Sequence, residues 1–226
     1  SNVTAAVQGG WDQRFDVWYP FIVGGSPDLV SVPAESEYQT LEDLIAAAEA
    51  EPGSIPAAAS GAGSIHHLNL LALEQGSGAT FRFVPYQGSA PGQEAALAGE
   101  VELVVTSLAE QAPLILGGQL RPLAMLTPDA AEIGEMTVPS AFDSYPSLSD
   151  YLPLKQSIGF AVLASAPDEV KAALTAAFDA AMESETVSDW AASNYYDISG
   201  LSGAEAQEVF ATLESTFAWT LFDLGQ

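Results

Sequence analysis

Cysteine is absent from this chain of 226 residues. Its absence excludes disulfides, cysteine-based zinc fingers, iron–sulfur clusters and thiol catalysis. Histidine is nearly absent as well, since the only two, His66 and His67, are neighbours in sequence. Adjacent residues of a helix point about 100° apart, so this pair lacks the i, i+4 spacing with which two histidines share a metal ion. We therefore predict no metal site and no cofactor.

Positive charge is scarce. The chain has 5 lysines and arginines against 30 aspartates and glutamates, which gives a formal net charge of −25. Nucleic acids and anionic lipid surfaces both attract basic proteins, so we predict neither as a partner. The acidic residues are scattered rather than gathered in one block, a pattern typical of a solvated surface.

Long apolar runs are also missing. Hydrophobic residues make up 48% of the chain, but no run approaches the roughly 18–20 apolar residues of a membrane-spanning helix. We expect no direct insertion into a membrane. The chain does not open with the basic and apolar segments of an export signal, so we expect any such signal to have been removed.

Strong catalytic motifs are not found. The sequence contains no G-x-S-x-G, no H-E-x-x-H and no phosphate-binding loop with its lysine. Carboxylates are plentiful, so an acid–base pair of Asp or Glu stays open. We predict a protein that is not an enzyme, and we assign no catalytic residue.

Strand and helix patterns alternate through most of the chain. Apolar and β-branched runs predict strands at residues 15–23, 29–32, 55–59, 80–84, 101–105, 121–126 and 158–163. Helix-like segments lie between them, for example after the expected N-cap Thr40, while residues 127–153 resemble a long connection. This alternation predicts an α/β fold with a doubly wound, mostly parallel sheet and helices on both faces.

Two turns rich in glycine and serine each connect a predicted strand to a predicted helix. Such turns present backbone N–H groups at the positive end of a helix, which makes an anion-binding site. The first candidate set is Ser60, Gly61, Ala62, Gly63 and Ser64. The second is Tyr86, Gly88, Ser89 and Ala90. The simpler interpretation is an ordinary turn in each case, with Ser64 as an N-cap and Tyr86 as a core aromatic residue.

Thr106 and Ser107 end a predicted buried strand. Ligands of doubly wound sheets bind at the carboxyl ends of strands. We therefore include both residues among the predicted ligand-binding positions.

These motifs carry a family resemblance. The pattern S-G-x-G-S-x-x-H-L at 60–68, followed by V-P-Y-x-G-S-A-P at 84–91, resembles the solute-binding proteins of tripartite tricarboxylate transporters, the Bug-type periplasmic receptors. The segments 38–53, 97–103, 117–124 and 138–140 resemble further stretches of that family. The likeness extends from about Phe15 to the C-terminus.

The resemblance implies a type II periplasmic binding protein-like fold with two lobes. Residues 1–30 would be lead-in strands left from the first lobe, 31–149 the second lobe with the ligand-binding turns, and 150–226 the C-terminal return to the first lobe. The start of the first lobe, with its own glycine-rich turn, is not found in this sequence.

The resemblance also implies a function: capture of a small organic acid, a di- or tricarboxylate, in the periplasm for delivery to membrane transporter subunits. His67 matches the family's histidine, and we expect it to pack behind the first turn and fix it. Where the family often has an acidic residue, this chain has Thr106, which favours a plain carboxylate over an amino acid.

Two other functions stay open from the residues alone. One is a hydrolase-like or lyase-like enzyme that uses His66 with a nearby serine or carboxylate; it requires Ser60 or Ser64 Oγ within hydrogen-bond reach of a histidine ring nitrogen. The other is an orphan sensory or partner-binding module that keeps the fold but has lost the ligand.

Overall fold

The computed structural model describes residues 15–223. The strands are β1 (Trp18–Ser26), β2 (Asp28–Pro33), β3 (Pro56–Ala58), β4 (Arg82–Val84), β5 (Leu103–Ser107), β6 (Leu120–Met125), β7 (Ala131–Ile133), β8 (Met136–Val138), β9 (Gln156–Leu163) and β10 (Asp197–Ser202). The α-helices are α1 (Leu41–Ala50), α2 (Ile65–Ser77), α3 (Ser89–Leu97), α4 (Leu108–Leu116), α5 (Ala141–Ser144), α6 (Asp168–Met182), α7 (Glu185–Ser193) and α8 (Gly203–Asp223). Short 3₁₀ turns occupy Phe15–Val17 and Pro146–Asp150.

The chain divides into two compact units. Pro27–Gln156 forms one, here called the central unit, and the described residues on either side of it form the other, the terminal unit. The first fourteen residues of the predicted lead-in segment 1–30 lie outside the described residues.

The central unit is built on a five-stranded sheet with the order β4-β3-β5-β2-β6. Strand β3 pairs in parallel with β4 and β5, whereas β2 is antiparallel to both β5 and β6. Four strands therefore run in one direction and β2 runs in the other. The sheet is mixed and mostly parallel, in agreement with the predicted fold class.

Burial explains why β2 and β5 lie at the centre of this sheet. Leu103, Val104 and Val105 of β5 are fully buried, and so are Leu29 and Val30 of β2. A strand whose successive residues are all buried must be covered on both faces, which suits the interior of a sheet flanked by helices.

Helix α1 begins as the sequence predicts. The Thr40 hydroxyl accepts a hydrogen bond from the Asp43 N–H at 3.1 Å, and the Asp43 carboxylate accepts one from the Thr40 N–H at 3.1 Å. This reciprocal capping box satisfies two amides that the first helical turn leaves free.

The terminal unit has its own three-stranded sheet, with the order β10-β1-β9. Phe21 of β1 stacks on Phe160 of β9 at 4.6 Å between ring centroids and meets Phe178 of α6 edge-on at 5.3 Å. Phe21 and Phe178 are buried and form a small core of this unit, while the half-exposed Phe160 covers one side of it.

The first strand differs from its predicted bounds of 15–23. Residues Phe15–Val17 form a 3₁₀ turn, and β1 continues through Gly24 and Gly25 to Ser26. A Cβ on Gly24 would lie 1.9 Å from the Asp197 carbonyl oxygen of β10. Glycine usually weakens a strand, but here it permits a close approach between two backbones.

The predicted connection 127–153 contains a small hairpin that the sequence did not indicate. Strands β7 and β8 pair through a two-residue turn in which Gly134 has φ 62°. Strands of three residues are too short to show a clear alternation of apolar and polar residues. The turn-forming residues around them therefore predicted a connection instead of two strands.

Candidate functional site

The carboxyl ends of β3, β4 and β5 meet at one edge of the central sheet. Helices α2, α3 and α4 begin just after these three strands, so their N-termini lie at this edge too. The start of β2 lies there as well, because Asp28 pairs with Ser107. All predicted ligand-binding residues therefore belong to this edge, here called the carboxyl edge.

A tight turn at Gly61–Ser64 leads into α2. The Ser64 N–H donates to the Gly61 carbonyl at 3.1 Å, Gly63 has φ 70°, and Ala62 before it has a negative φ. This is the arrangement of a type II turn, whose third residue requires a positive φ and is usually glycine. The same arrangement occurs at residues 51–54, where Ser54 donates to Glu51 at 3.0 Å, Gly53 has φ 75° and Pro52 stands where Ala62 stands here.

Ser64 is the N-cap of α2. Its hydroxyl donates to the Ala59 carbonyl at 3.0 Å and accepts from the His67 N–H at 3.2 Å. The hydroxyl is thus engaged in holding the strand end to the helix start, which fixes the direction of the neighbouring amides.

The amides of this turn fall into two groups. Those of Gly63 and Ser64 are bonded within the protein. Within residues 15–223, the N–H groups of Gly61 and Ala62 have no protein acceptor, and neither do those of Ile65 and His66 at the start of α2. Two amides of the turn and two at the start of α2 therefore have the unpaired N–H groups with which a helix start can bind an anion.

His67 packs behind the turn. Its Nδ1 accepts a hydrogen bond from the Gly63 N–H at 3.1 Å, and its ring stacks on Phe83 at 3.9 Å. Burial lowers the pKa of His67 below its ordinary value of 6.5. The neutral ring suits this role, since a protonated Nδ1 cannot accept the Gly63 hydrogen bond.

The turn before α3 contacts the turn before α2. The Tyr86 N–H donates to the Ser60 carbonyl at 3.1 Å. Gly88 has φ 122°, a backbone conformation that glycine adopts readily and other residues rarely adopt. Within the described residues, the amides of Ser89 and Ala90 have no protein acceptor. Two helix starts with available amides thus lie beside each other.

The end of β5 is engaged by the protein itself. The buried Thr106 hydroxyl accepts from Gln93 Nε2 at 3.1 Å, which ties α3 to β5. Ser107 donates to the Glu110 carboxylate from its hydroxyl at 2.8 Å and from its N–H at 3.2 Å. Both predicted residues lie at the carboxyl edge, and their side chains shape it.

A buried polar cluster lies at the same edge; the sequence indicated His66 with a serine or carboxylate, but not which carboxylates it meets. His66 Nδ1 lies 2.7 Å from Asp28 Oδ2, which also accepts from Asn69 Nδ2 at 2.7 Å. His66 Nε2 lies 3.5 Å from Glu110 Oε2. Three features of the sequence could have indicated this cluster. Asp28 is an acidic residue at the start of an apolar strand, Asn69 lies among the leucines of α2, and Ser107 to Glu110 has the S-x-x-E capping pattern.

Opposing influences act on His66. Burial on its own lowers the pKa of His66, but the charge of Asp28, the hydrogen bond to Asp28 and the charge of Glu110 together raise it above 6.5. His66 and His67 are adjacent, yet their pKa values shift in opposite directions because only His66 faces carboxylates.

The geometry required for a serine nucleophile is not formed in the described part of the chain. The Ser64 hydroxyl contacts the Ala59 carbonyl and the His67 amide, and Ser60 has no side-chain hydrogen bond, so neither meets a histidine ring nitrogen. Residues 15–223 also contain no group of three or more His, Cys, Asp or Glu arranged to hold a metal ion. No described helix is both long enough and apolar enough to span a membrane.

Two curated relatives match parts of the chain. A UPF0065 protein in the tcbD-tcbE intergenic region of Pseudomonas sp. (strain P51) is 31% identical over 103 residues, which cover 46% of this chain and 31% of that protein. Protein BugT of Bordetella pertussis is 28% identical over 145 residues, 63% of this chain and 42% of that protein. The matches thus span less than half the length of these relatives.

Solved structures share the fold. R. palustris Rpa4515 with adipate has a TM-score of 0.78 at 23% identity, over 92% of this chain and 69% of that one. MatC (Rpa3494) from Rhodopseudomonas palustris, with bound malate, has a TM-score of 0.78 at 15% identity, over 90% and 69%. The family model described as tripartite tricarboxylate transporter family receptor matches residues 11–211. Because that model covers most of the sequence, this chain belongs to the tripartite tricarboxylate transporter receptor family.

Proposed function

We propose that this chain is a periplasmic solute-binding receptor that captures a small organic acid, a di- or tricarboxylate, and delivers it to the membrane subunits of a tripartite tricarboxylate-type transporter. Family membership supports the receptor role. The Ser64 hydroxyl is held by the Ala59 carbonyl and the His67 amide, which suits a fixed turn that presents its amides to a ligand.

One observation carries the proposal: two helix N-termini with available amides lie side by side at the carboxyl edge. Within the described residues, the amides of Gly61 and Ala62 in the first turn, of Ile65 and His66 at the start of α2, and of Ser89 and Ala90 at the start of α3 have no protein acceptor. Amides at a helix start bind a carboxylate by hydrogen bonds and by the helix dipole, without a basic side chain. This fits a chain with only 5 lysines and arginines.

The remaining predicted residues support these amides. Ser64 and His67 hold the first turn through the hydrogen bonds to Ala59 and Gly63. In this proposal Ser60, Tyr86 and Gly88 set the distance between the two turns, while Thr106 and Ser107 form the floor of the site.

The solved relatives suggest which acids to test first. Their structures hold adipate and malate, both of which carry two carboxylates. A dicarboxylate can place one end on the amides of this site, so we propose this chemical class as the substrate.

Isothermal titration calorimetry with the chain and a matched set of ligands tests the proposal. We expect adipate or malate to bind, and hexane-1,6-diamine, which has the length of adipate with cationic ends, to give no heat. Hexanoate, with a single carboxylate, separates capture of one carboxylate from capture of two. Flat titrations with every di- and tricarboxylate, or tighter binding of the diamine, would contradict the proposed function.

A further inference from the structure

His66 lies between two carboxylates that come from different elements of the central unit. Its Nδ1 lies 2.7 Å from Asp28 Oδ2 on β2, and its Nε2 lies 3.5 Å from Glu110 Oε2 on α4. The Asp28 side chain is fully buried, the His66 side chain is 5% exposed and that of Glu110 is 29% exposed. We call these three residues the imidazole triad.

The 2.7 Å contact of His66 Nδ1 with Asp28 is a hydrogen bond, whereas the 3.5 Å from Nε2 to Glu110 is an ion-pair distance. A neutral imidazole carries one N–H and one lone pair, so it donates to one carboxylate and presents a lone pair to the other. Only the imidazolium is attracted to both carboxylates. A buried carboxylate such as Asp28 also requires a compensating charge or hydrogen bonds.

The second oxygen of Asp28 strengthens this argument. Asp28 Oδ2 accepts from His66 and from Asn69, but buried Asp28 Oδ1 has no hydrogen-bond partner. Asn69 in turn donates to the Leu154 carbonyl at 3.0 Å. Asp28 therefore depends on the His66 imidazolium to compensate its negative charge. The same contact ties α2 to the start of β2.

Two helix starts are joined by this triad. His66 is the second residue of α2, and Glu110 accepts both hydrogen bonds that Ser107 donates at the start of α4. The His66 backbone amide is also one of the four that are available to an anion. Any change in the position of His66 therefore moves a donor of the candidate site.

We propose that His66 is a positioning residue whose imidazolium bridges Asp28 and Glu110 and thereby holds the first turns of α2 and α4 in place at the carboxyl edge. Loss of the proton releases one of the two contacts and loosens the edge. This inference rests on the proposed function only for the meaning of that edge as a ligand site, because the contacts of the triad are made within the protein alone.

The charged groups that face the His66 ring in residues 15–223 are Asp28 from β2 and Glu110 from α4. Both raise the pKa of His66 against the opposing influence of burial. His67, the neighbouring titratable residue on α2, is turned to Phe83 and Gly63 instead. The pKa of His66 is therefore a measure of its contacts with these two carboxylates.

Proton NMR of the two histidine rings across pH tests the triad in the complete chain. We expect His66 to titrate above 6.5 and His67 below it, so that each ring is the internal reference for the other. Asp28→Asn should lower the pKa of His66 by about one unit or more, a tenfold loss of proton affinity. Glu110→Gln should lower it by less, and Glu94→Gln, which removes an exposed charge of α3, should leave it unchanged.

Stability against pH gives a second readout of the proton that His66 holds. His66 has a raised pKa in the folded state, so its contribution is complete below 6.5 and is lost as the pH rises through the folded value. The difference in unfolding free energy between the native chain and His66→Gln should therefore shrink with rising pH. The contribution of His67 cancels, because both proteins contain it.

Adipate and malate titrations at low and high pH complete the test. We expect affinity to fall several-fold when His66 loses its proton, and His66→Gln to bind weakly with no such pH dependence.

A His66 pKa at or below 6.5, an unchanged pKa in both Asp28→Asn and Glu110→Gln, or native binding with a native pH profile in His66→Gln would overturn the proposal. If the triad titrates as expected but no carboxylate binds at any pH, the positioning of the edge stands and the proposed function fails.

Discussion

Arg121 shows how the few positive charges of this chain are used. Its guanidinium donates to the carbonyls of Ser36 at 3.0 Å and Tyr38 at 3.1 Å, and also to that of Ala34. These carbonyls belong to the loop between β2 and α1, and Arg121 lies near the start of β6, at the end of the strand away from the carboxyl edge. This cation therefore holds a loop and does not contact the candidate site.

Arg121→Met should reduce stability without changing ligand binding. The substitution leaves three carbonyls without their charged donor, and hydrogen bonds to charged groups contribute about 1.5–3 kcal/mol each. Because the side chain is half-buried, we expect the free energy of unfolding in urea to fall by about 2–3 kcal/mol in total.

Arg82→Met is the control: Arg82 is exposed and makes no side-chain hydrogen bond in the described region, so we expect a change within about 0.5 kcal/mol. Lost carboxylate binding in Arg121→Met at native stability would show that this cation serves the site.

Helix α2 is the element on which the candidate site depends. Its cap, its first turn and the ring of His67 are linked by local hydrogen bonds that involve residues 59–67. Because these contacts are local in sequence, the arrangement of the amides does not depend on the ligand. In our proposal the first turn is therefore preorganised for the ligand.

Ser64→Ala should reduce both stability and ligand affinity. Loss of a serine N-cap costs about 1 kcal/mol, and here it also frees the turn that presents the amides. Ser184→Ala is a matched control, since Ser184 caps α7 in the terminal unit by accepting from the Val187 N–H at 3.3 Å. We expect similar losses in thermal unfolding for the two variants, but weaker dicarboxylate binding only for Ser64→Ala. Equal affinities for both variants would mean that the α2 turn does not contact the ligand.

The elements also show what the sequence could and could not predict. The turn at 60–64 and the caps at Thr40 and Ser64 follow local rules, because the residues that form each contact lie within five positions of one another. The contact between His66 and Asp28 joins residues 38 apart, and it exists only because β2 pairs with β5 in one register. The continuation of β1 through Gly24 was missed for the same reason, since its cause is the distant strand β10.

Across the whole molecule, a net charge of −25 sets the electrostatics of binding. A dianion approaches a protein of like charge, so long-range attraction does not assist its capture. Salt screens this repulsion over the Debye length, which shortens from about 30 Å at 0.01 M to about 3 Å at 1 M. In our proposal the affinity arises from short-range hydrogen bonds at the carboxyl edge.

Salt should therefore leave dicarboxylate affinity unchanged or raise it. We expect calorimetric association constants at about 500 mM sodium chloride to equal or exceed those at about 20 mM, because screening removes the repulsion and leaves the amide contacts intact. Thermal stability should rise over the same range, since the acidic surface repels itself less. A steep fall in affinity with salt would indicate a site lined by lysine or arginine.

The most direct measurement removes one amide and keeps the turn. Ala62 stands where Pro52 stands in the equivalent turn at residues 51–54, so Ala62→Pro suits the local geometry and deletes only the N–H group. Ala62→Ser is the control, because it keeps the amide at an exposed position with a small side chain. Calorimetry with adipate and malate should show a loss of about tenfold or more for Ala62→Pro, as a hydrogen bond to a charged group contributes about 1.5–3 kcal/mol, and near-native affinity for Ala62→Ser. Native affinity in a folded Ala62→Pro would contradict carboxylate capture by the amides of this turn.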